Sequence, residues 1–136
     1  MADLVCDSHQ QLIERLFEAF NRRDPDGIRT LCDEAMEFYA VTAEEIGREA
    51  PYMGPEGLRD YLADVAQVWE ELLITAKEVE SSGDRLLVRG RVYLRSRNLG
   101  IRDLPACWIW EIRDGRFVSG RAFVDQQLAE ARFAAS

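Results

Sequence analysis

A carboxylate closes a run of strictly alternating residues near the end of the chain. Phe117, Ser119, Arg121, Phe123 and Asp125 lie two apart, so on an extended strand they share one face. Val118, Gly120, Ala122 and Val124, small and apolar, share the other. A carboxylate at the end of an aromatic face suits general acid or base work. Asp is also among the strongest helix N-caps, and a short helix is expected over residues 126–133. Both readings of Asp125 stand at this point. Upstream, Trp108 and Trp110 share a face and read either as core or, with Trp69, as the wall of a pocket. Leu86, Val88, Gly90, Val92 and Leu94 form one face of another strand, and Leu87, Arg89, Arg91, Tyr93, Arg95 and Arg97 the other. Hydrophobicity puts the first set inside and the arginines outside, where they can pair with Glu78 and Glu80. The functional alternative turns Arg91 and Tyr93 into a pocket.

Other chemistries lack their residues. His9 is the only histidine, there is no Cys/His cluster, and no pair of acids sits beside it at ligand spacing, so no metal site is expected. Neither Ser119 nor Cys107 lies in a nucleophile motif, and both Gly-x-Ser-x-Gly and Gly-x-Gly-x-x-Gly are absent. No cofactor is expected. The 136 residues suit one domain, 1–136, with 47% hydrophobic and 31% charged residues and a net charge of −8. That charge disfavours nucleic acid and anionic membranes as partners. Cys6, Cys32 and Cys107 are odd in number and far apart, which fits reduced thiols in a cytoplasmic protein. Neither a signal peptide nor a membrane-length apolar run is visible.

These side chains need elements to position them. Apolar residues at Leu12, Ile13, Leu16, Phe17 and Phe20 predict a first helix over about 8–22. Asp24-Pro25 opens a short second helix. A strand is expected over 36–41 and a loop over 42–52. Gly54-Pro55-Glu56 opens a third helix whose apolar stripe runs to Leu73. The period then changes to two. Strands are expected at 74–80, at 85–97, from about Pro105 onward, and at 116–124, with Asp114-Gly115 as a tight primed turn. The pattern is α+β, with helices on one face of a curved antiparallel sheet.

This order of elements resembles the SnoaL-like branch of the nuclear-transport-factor-2-like superfamily. The resemblance rests on Phe17-Glu-Ala-Phe20-Asn-Arg-Arg-Asp24-Pro-Asp-Gly27-Ile and on Tyr52-Met-Gly54-Pro-Glu-Gly57-Leu. It rests also on Trp108-Ile-Trp110-Glu-Ile-Arg-Asp-Gly115-Arg-Phe-Val and Phe123-Val-Asp125. It implies a cone-shaped domain, three N-terminal helices packed on a strongly curved sheet, with a pocket at the wide end. Steroid isomerases of this fold place a tyrosine and two acids where Leu16, Tyr39 and Trp108 stand here, so that chemistry is not expected. Limonene-type epoxide hydrolases use Arg-x-Asp where this chain has Arg91-Val-Tyr93, and a second acid matched by Asp125, so this chain keeps one of the two acids and the water-activating pair is incomplete. The resemblance implies a small apolar, oxygen-bearing ligand and cofactor-free acid/base chemistry such as cyclisation, isomerisation or hydration. Asp125 would be the acid/base and Tyr39 an oxyanion donor. Arg91 and Tyr93 would position the ligand, and Trp69, Trp108, Trp110 and Phe123 would wall it. A binding module without catalysis is the alternative. A homodimer through the sheet's outer face is also implied, with Val118, Gly120, Ala122, Val124, Cys107 and Ile109 as the contact.

Overall fold

A computed structural model describes residues 2–39, 52–98 and 100–135. Helix α1 (Ala2–Asn21) is followed by α2 (Pro25–Leu31), β1 (Cys32–Tyr39), β2 (Tyr52–Met53) and α3 (Gly54–Val68). Then come β3 (Glu71–Ser82), β4 (Arg85–Ser96), β5 (Gly100–Arg113), β6 (Arg116–Phe123) and α4 (Gln126–Ala134). The six strands form one sheet in the order β2-β1-β6-β5-β4-β3. Every neighbouring pair is antiparallel except β1 with β6, which is parallel.

Local chemistry explains the boundaries. Asp24 accepts from the Gly27 amide at 3.1 Å, and Pro25 occupies the first helical position of α2. Helix α3 stops at Val68, five residues before its apolar stripe runs out. Leu72 and Leu73 belong to β3, where Leu72 is buried and Leu73 is exposed. A run of apolar residues carries no boundary of its own, so the change of period, read after Leu73, in fact falls before Glu71. Asn21 fixes the junction, donating to the Ile74 carbonyl at 2.9 Å and accepting from the Ile74 amide at 2.8 Å. Strand β5 starts at Gly100 rather than near Pro105, because it pairs with β4 through Pro105 to Ser96. Proline breaks only one ladder bond there and does not end the strand. Tyr52, the last residue of the expected loop, pairs with Phe38 of β1, and Met53 with Glu37. The strand residues 40 and 41 and the loop 42–51 lie outside the described residues.

The core lies between the inner face of the sheet and α1 to α3. It holds Ile13, Leu16, Phe17 and Phe20 with Leu58, Tyr61, Val65, Leu86, Val88, Trp108, Trp110 and Phe117. Helix α4 packs on the opposite face, where Ala129 meets Leu87, Cys107 and Phe123. The helices are thus not all on one face. Among the described residues no helix is long and apolar enough to cross a membrane.

The Asp114-Gly115 turn has positive φ at both residues, 54° and 77°, as a type I′ hairpin requires. One step beyond it the ladder slips: Ile112 pairs with Phe117 but Glu111 pairs with Ser119. Val118 is therefore the extra residue of a β-bulge. The bulge breaks the alternation expected of β6. Phe117 points into the core, while Ser119, Arg121 and Phe123 point outward. Gly120 and Ala122 turn inward, opposite Trp110 and Trp108. The expected outer contact face of Val118, Gly120, Ala122 and Val124 is therefore not formed, although Cys107 and Ile109 do face outward.

Candidate functional site

The three tryptophans lie on the inner side, as the pocket-wall and core readings both require. Trp69, Trp108 and Trp110 are 0%, 4% and 0% exposed and belong to the core cluster. Trp110 stacks on Phe38 with ring centroids 5.6 Å apart and planes 6° from parallel. Phe117 meets it edge-on at 5.4 Å, and Phe17 meets Trp108 at 4.9 Å. Phe38 also meets Tyr61, which meets Tyr52, at 5.1 and 5.2 Å. The Arg102 guanidinium lies 5.6 Å from the Trp69 ring.

Two polar features break this aromatic interior. The indole nitrogens Nε1 of Trp69 and Trp110 are buried and have no hydrogen-bond acceptor among the described residues. The Tyr52 hydroxyl, on a side chain only 1% exposed, donates to Oδ2 of Asp64 at 3.0 Å. Sequence reading missed this pair. Asp64 sits on α3 three residues after Tyr61, where a single acid looks like one more solvated helix residue. Its only sequence signal is its place next to the buried positions 61, 62 and 65.

The other expected site residues lie elsewhere. Asp125 is exposed, and its Oδ1 accepts from the Leu128 amide at 3.1 Å as the N-cap of α4. Of its two readings the structure realises the cap. Phe123 packs under α4 with Leu87, Cys107 and Ala129. Arg91 and Tyr93 lie on the outer face of β4, alternating with the core residues Val92 and Leu94. Arg91 Nε donates to Asp103 Oδ1 at 2.8 Å. Its neighbour Arg89 pairs with Glu78 and Glu80 at 3.8 and 3.1 Å and with Glu130 at 3.0 Å. Tyr39 also faces outward, under the Arg121 guanidinium at 4.0 Å. The bulge in β6 is the physical reason that Phe123 parts company with the tryptophans. Tyr39 stands next to the inward Phe38 and so takes the opposite face.

Cys32 and Cys107 are buried free thiols. Burial pushes the Cys32 thiol up to about 12. Burial also raises Cys107, against a lowering by Arg89. Neither suits a nucleophile, which needs the thiolate. Among the described residues no group of three or more His, Cys, Asp or Glu could hold a metal ion.

The curved sheet with helices in its concavity defines the nuclear-transport-factor-2-like class of domains. The chain belongs to the SnoaL-like domain family, whose family model matches residues 13–120. Solved structures share the fold at low identity. TerC, crystallised with polyporic acid, is 22% identical over 95% of this chain and 99% of its own, with a TM-score of 0.78. A nuclear-transport-factor-2-like protein of unknown function from Burkholderia pseudomallei is 20% identical over 93% of this chain and 95% of its own, with a TM-score of 0.77. A polyketide cyclase assigned as putative in Xanthomonas campestris is 16% identical over 92% and 96%, with a TM-score of 0.73. No curated protein is significantly similar in sequence.

Proposed function

We propose that this chain binds a small, largely apolar, oxygen-bearing molecule against the inner face of its sheet, beside Trp110. The observation that carries the reading is the Trp110 Nε1 donor, buried among aromatic rings without an acceptor among the described residues. Leaving such a group unpaired costs about 1–3 kcal/mol, so native proteins leave few. A ligand carbonyl or hydroxyl oxygen would supply the acceptor, and the surrounding rings would take its apolar body. TerC was crystallised with polyporic acid, an apt first probe. The reading uses Trp110, Trp108 and Trp69 and leaves out Tyr39, Arg91, Tyr93, Phe123 and Asp125.

The three tryptophans give three indole signals in a ¹H–¹⁵N spectrum. Titration with polyporic acid and simpler hydroxyquinones is expected to move the Trp110 indole signal downfield. If no compound of the set moves either the Trp110 or the Trp69 signal at saturating concentration, the reading fails.

Acid/base catalysis without a cofactor is the second reading, and the Tyr52–Asp64 pair favours it. Asp64 would move the proton, and the Tyr52 hydroxyl would hold its carboxylate in one orientation. For any probe that turns over, Asp64→Asn is expected to lower the rate about 10²–10⁴-fold, the usual loss for an acid/base group. Binding measured by the indole signals should change little. Equal turnover in the variant would leave binding alone as the function. A homodimer through the free part of the sheet's outer face is proposed alongside.

A further inference from the structure

We propose that the outer face carries a second small-molecule site, which takes an apolar α-amino acid in its zwitterionic form. The site is a groove of about 330 Å³ between α4 and the strands β1, β5 and β6. It lies on the far side of the sheet from the tryptophans and is independent of the reading above.

Register builds the groove from two adjacent rows. Glu37, Ser119 and Glu111 face one another across β1, β6 and β5. Tyr39, Arg121 and Ile109 form the next row, with Phe123 beyond it. Rows two residues apart along a strand are about 7 Å apart. One row thus offers carboxylates, the next a guanidinium, and Ile109 and Phe123 give an apolar floor. Arg132 of α4 adds a second guanidinium from above.

The pairing of charges separates this groove from the rest of the face. On β4 three arginines are neutralised: Arg89 by Glu78, Glu80 and Glu130, Arg91 by Asp103, and Arg95 by Glu70 and Glu71. The fourth, Arg85, lines the groove as well, but its N–H groups are taken by the Phe133 and Arg132 carbonyls at the end of α4. Among the described residues neither Arg121 nor Arg132 has a carboxylate partner. Arg121 instead stacks on the Tyr39 ring at 4.0 Å. Stacking uses the face of the guanidinium and leaves its in-plane N–H groups for a second partner. Glu111 accepts from the Ser119 hydroxyl at 3.5 Å and lies 3.7 Å from Arg113, and Glu37 has no cationic partner among the described residues.

A plain anion would meet Glu37 and Glu111, and a plain cation would meet Arg121 and Arg132. A ligand with both charges a few bonds apart satisfies both rows. Its carboxylate would accept from Arg121 and Arg132, its ammonium would donate to Glu37 or Glu111, and its side chain would lie on Ile109 and Phe123. The volume falls at the small end of ligand sites, which fits a single amino acid.

The test titrates the full chain with L-phenylalanine, 3-phenylpropanoate and phenethylamine, followed by calorimetry and ¹H–¹⁵N spectra. L-phenylalanine is expected to shift the backbone amides of residues 119–123 and to bind at least tenfold more tightly than either singly charged analogue. Arg121→Ala and, separately, Arg132→Ala should each weaken it tenfold or more. Arg132 is exposed on α4, so its variant tests the site even if loss of Arg121 disturbs the sheet. Phenylpropanoate binding as tightly as phenylalanine would overturn the zwitterion assignment. No shift in 119–123 with any of the three, or shifts confined to the indole signals, would overturn the site. The indole shifts expected of polyporic acid test the inner reading separately.

Discussion

Gly120 is the residue at which the sequence held more than its alternation showed. Read as a regular strand, 117–125 has two clean faces, and Gly120 is one small outward residue among four. In the structure a β-carbon on Gly120 would lie 2.2 Å from the Trp110 ring. The glycine is there because Trp110 fills the space above it, and the β-bulge at Val118, two residues earlier, turns it inward. Nothing in Phe117-Val118-Ser119 marks the extra residue, so the bulge was not legible. A glycine opposite a tryptophan was its one trace. Gly120→Ala should therefore destabilise the fold by about 1–3 kcal/mol, the usual range for overpacking a filled core. Urea denaturation followed by tryptophan fluorescence measures it. A variant as stable as the parent would mean that Trp110 moves freely, and the Trp110 wall would lose its rigidity with it. Asp125 teaches the complementary lesson: its residue type was right for two roles, and only its neighbours on α4 distinguish them.

Helix α4 is the element whose existence was readable and whose place was not. Its length follows from the Asp125 cap, which sequence reading gave as one of two options. Its docking depends on the face of Leu87, Cys107 and Phe123, and that face emerges only once β6 has its bulge. Three polar ties hold it. Asp125 caps its start, Arg89 bonds Glu130 at 3.0–3.1 Å, and Arg85 donates to the Phe133 carbonyl at 3.0 Å. Asp125→Ala should cost about 1 kcal/mol, the typical value of a lost N-cap, seen as a lower thermal midpoint. If Asp125 only caps, polyporic acid should still shift the Trp110 indole in that variant; loss of the shift would return Asp125 to the ligand site. The Glu130 carboxylate is held below its ordinary range by the Gln126 amide and then by Arg89, which Glu78 and Glu80 also share. A lowered pKa in the folded state contributes stability above the unfolded value and loses it as pH falls through the folded one. Helix α4 should therefore loosen first in acid, below the ordinary carboxylate range. Amide exchange of residues 128–134 against pH shows this, and Glu130→Gln should make that exchange less dependent on pH. Unchanged pH dependence in the variant would move the acid response to another carboxylate. Lifting the helix also uncovers a thiol: Cys107 is 3% exposed beneath it. A chain cut after Asp125 should let Cys107 react with a thiol reagent that the whole protein resists at the same pH. If the thiol stays protected in the cut chain, packing within the sheet, and not α4, is what shields it.

At the scale of the whole molecule the fold was legible and the site only partly so, for one physical reason. The order of elements and the inner apolar stripes are set by periodicity, which sequence displays directly. Which polar residues meet depends on register, bulges and the far side of the sheet, which periodicity does not encode. The tryptophans fell inside because Trp108 and Trp110 alternate on β5 and no bulge intervenes between them. The same register decides where two copies can meet. Helix α4 occupies the outer face over Leu87 and Cys107, and Gly120 and Ala122 point inward, so the small apolar face expected for a dimer is not on offer. The outer face toward the other end of β3 to β5 remains open. Leu73, Tyr93 and Asp103 form a cross-strand row there, with Ile101 64% exposed and Leu73 38% exposed. Arg91, paired with Asp103 of this row, and the Arg95–Glu71 pair lie on either side, so the patch carries both signs of charge and can meet its own copy related by a two-fold axis. Light scattering should then give twice the 15.6 kDa chain mass at micromolar concentration. Leu73→Glu, on an exposed position that the core does not need, should give a monomer of unchanged thermal stability in its own fold. A parent chain that is monomeric at those concentrations, or a Leu73→Glu variant that stays dimeric, would move the contact off this face.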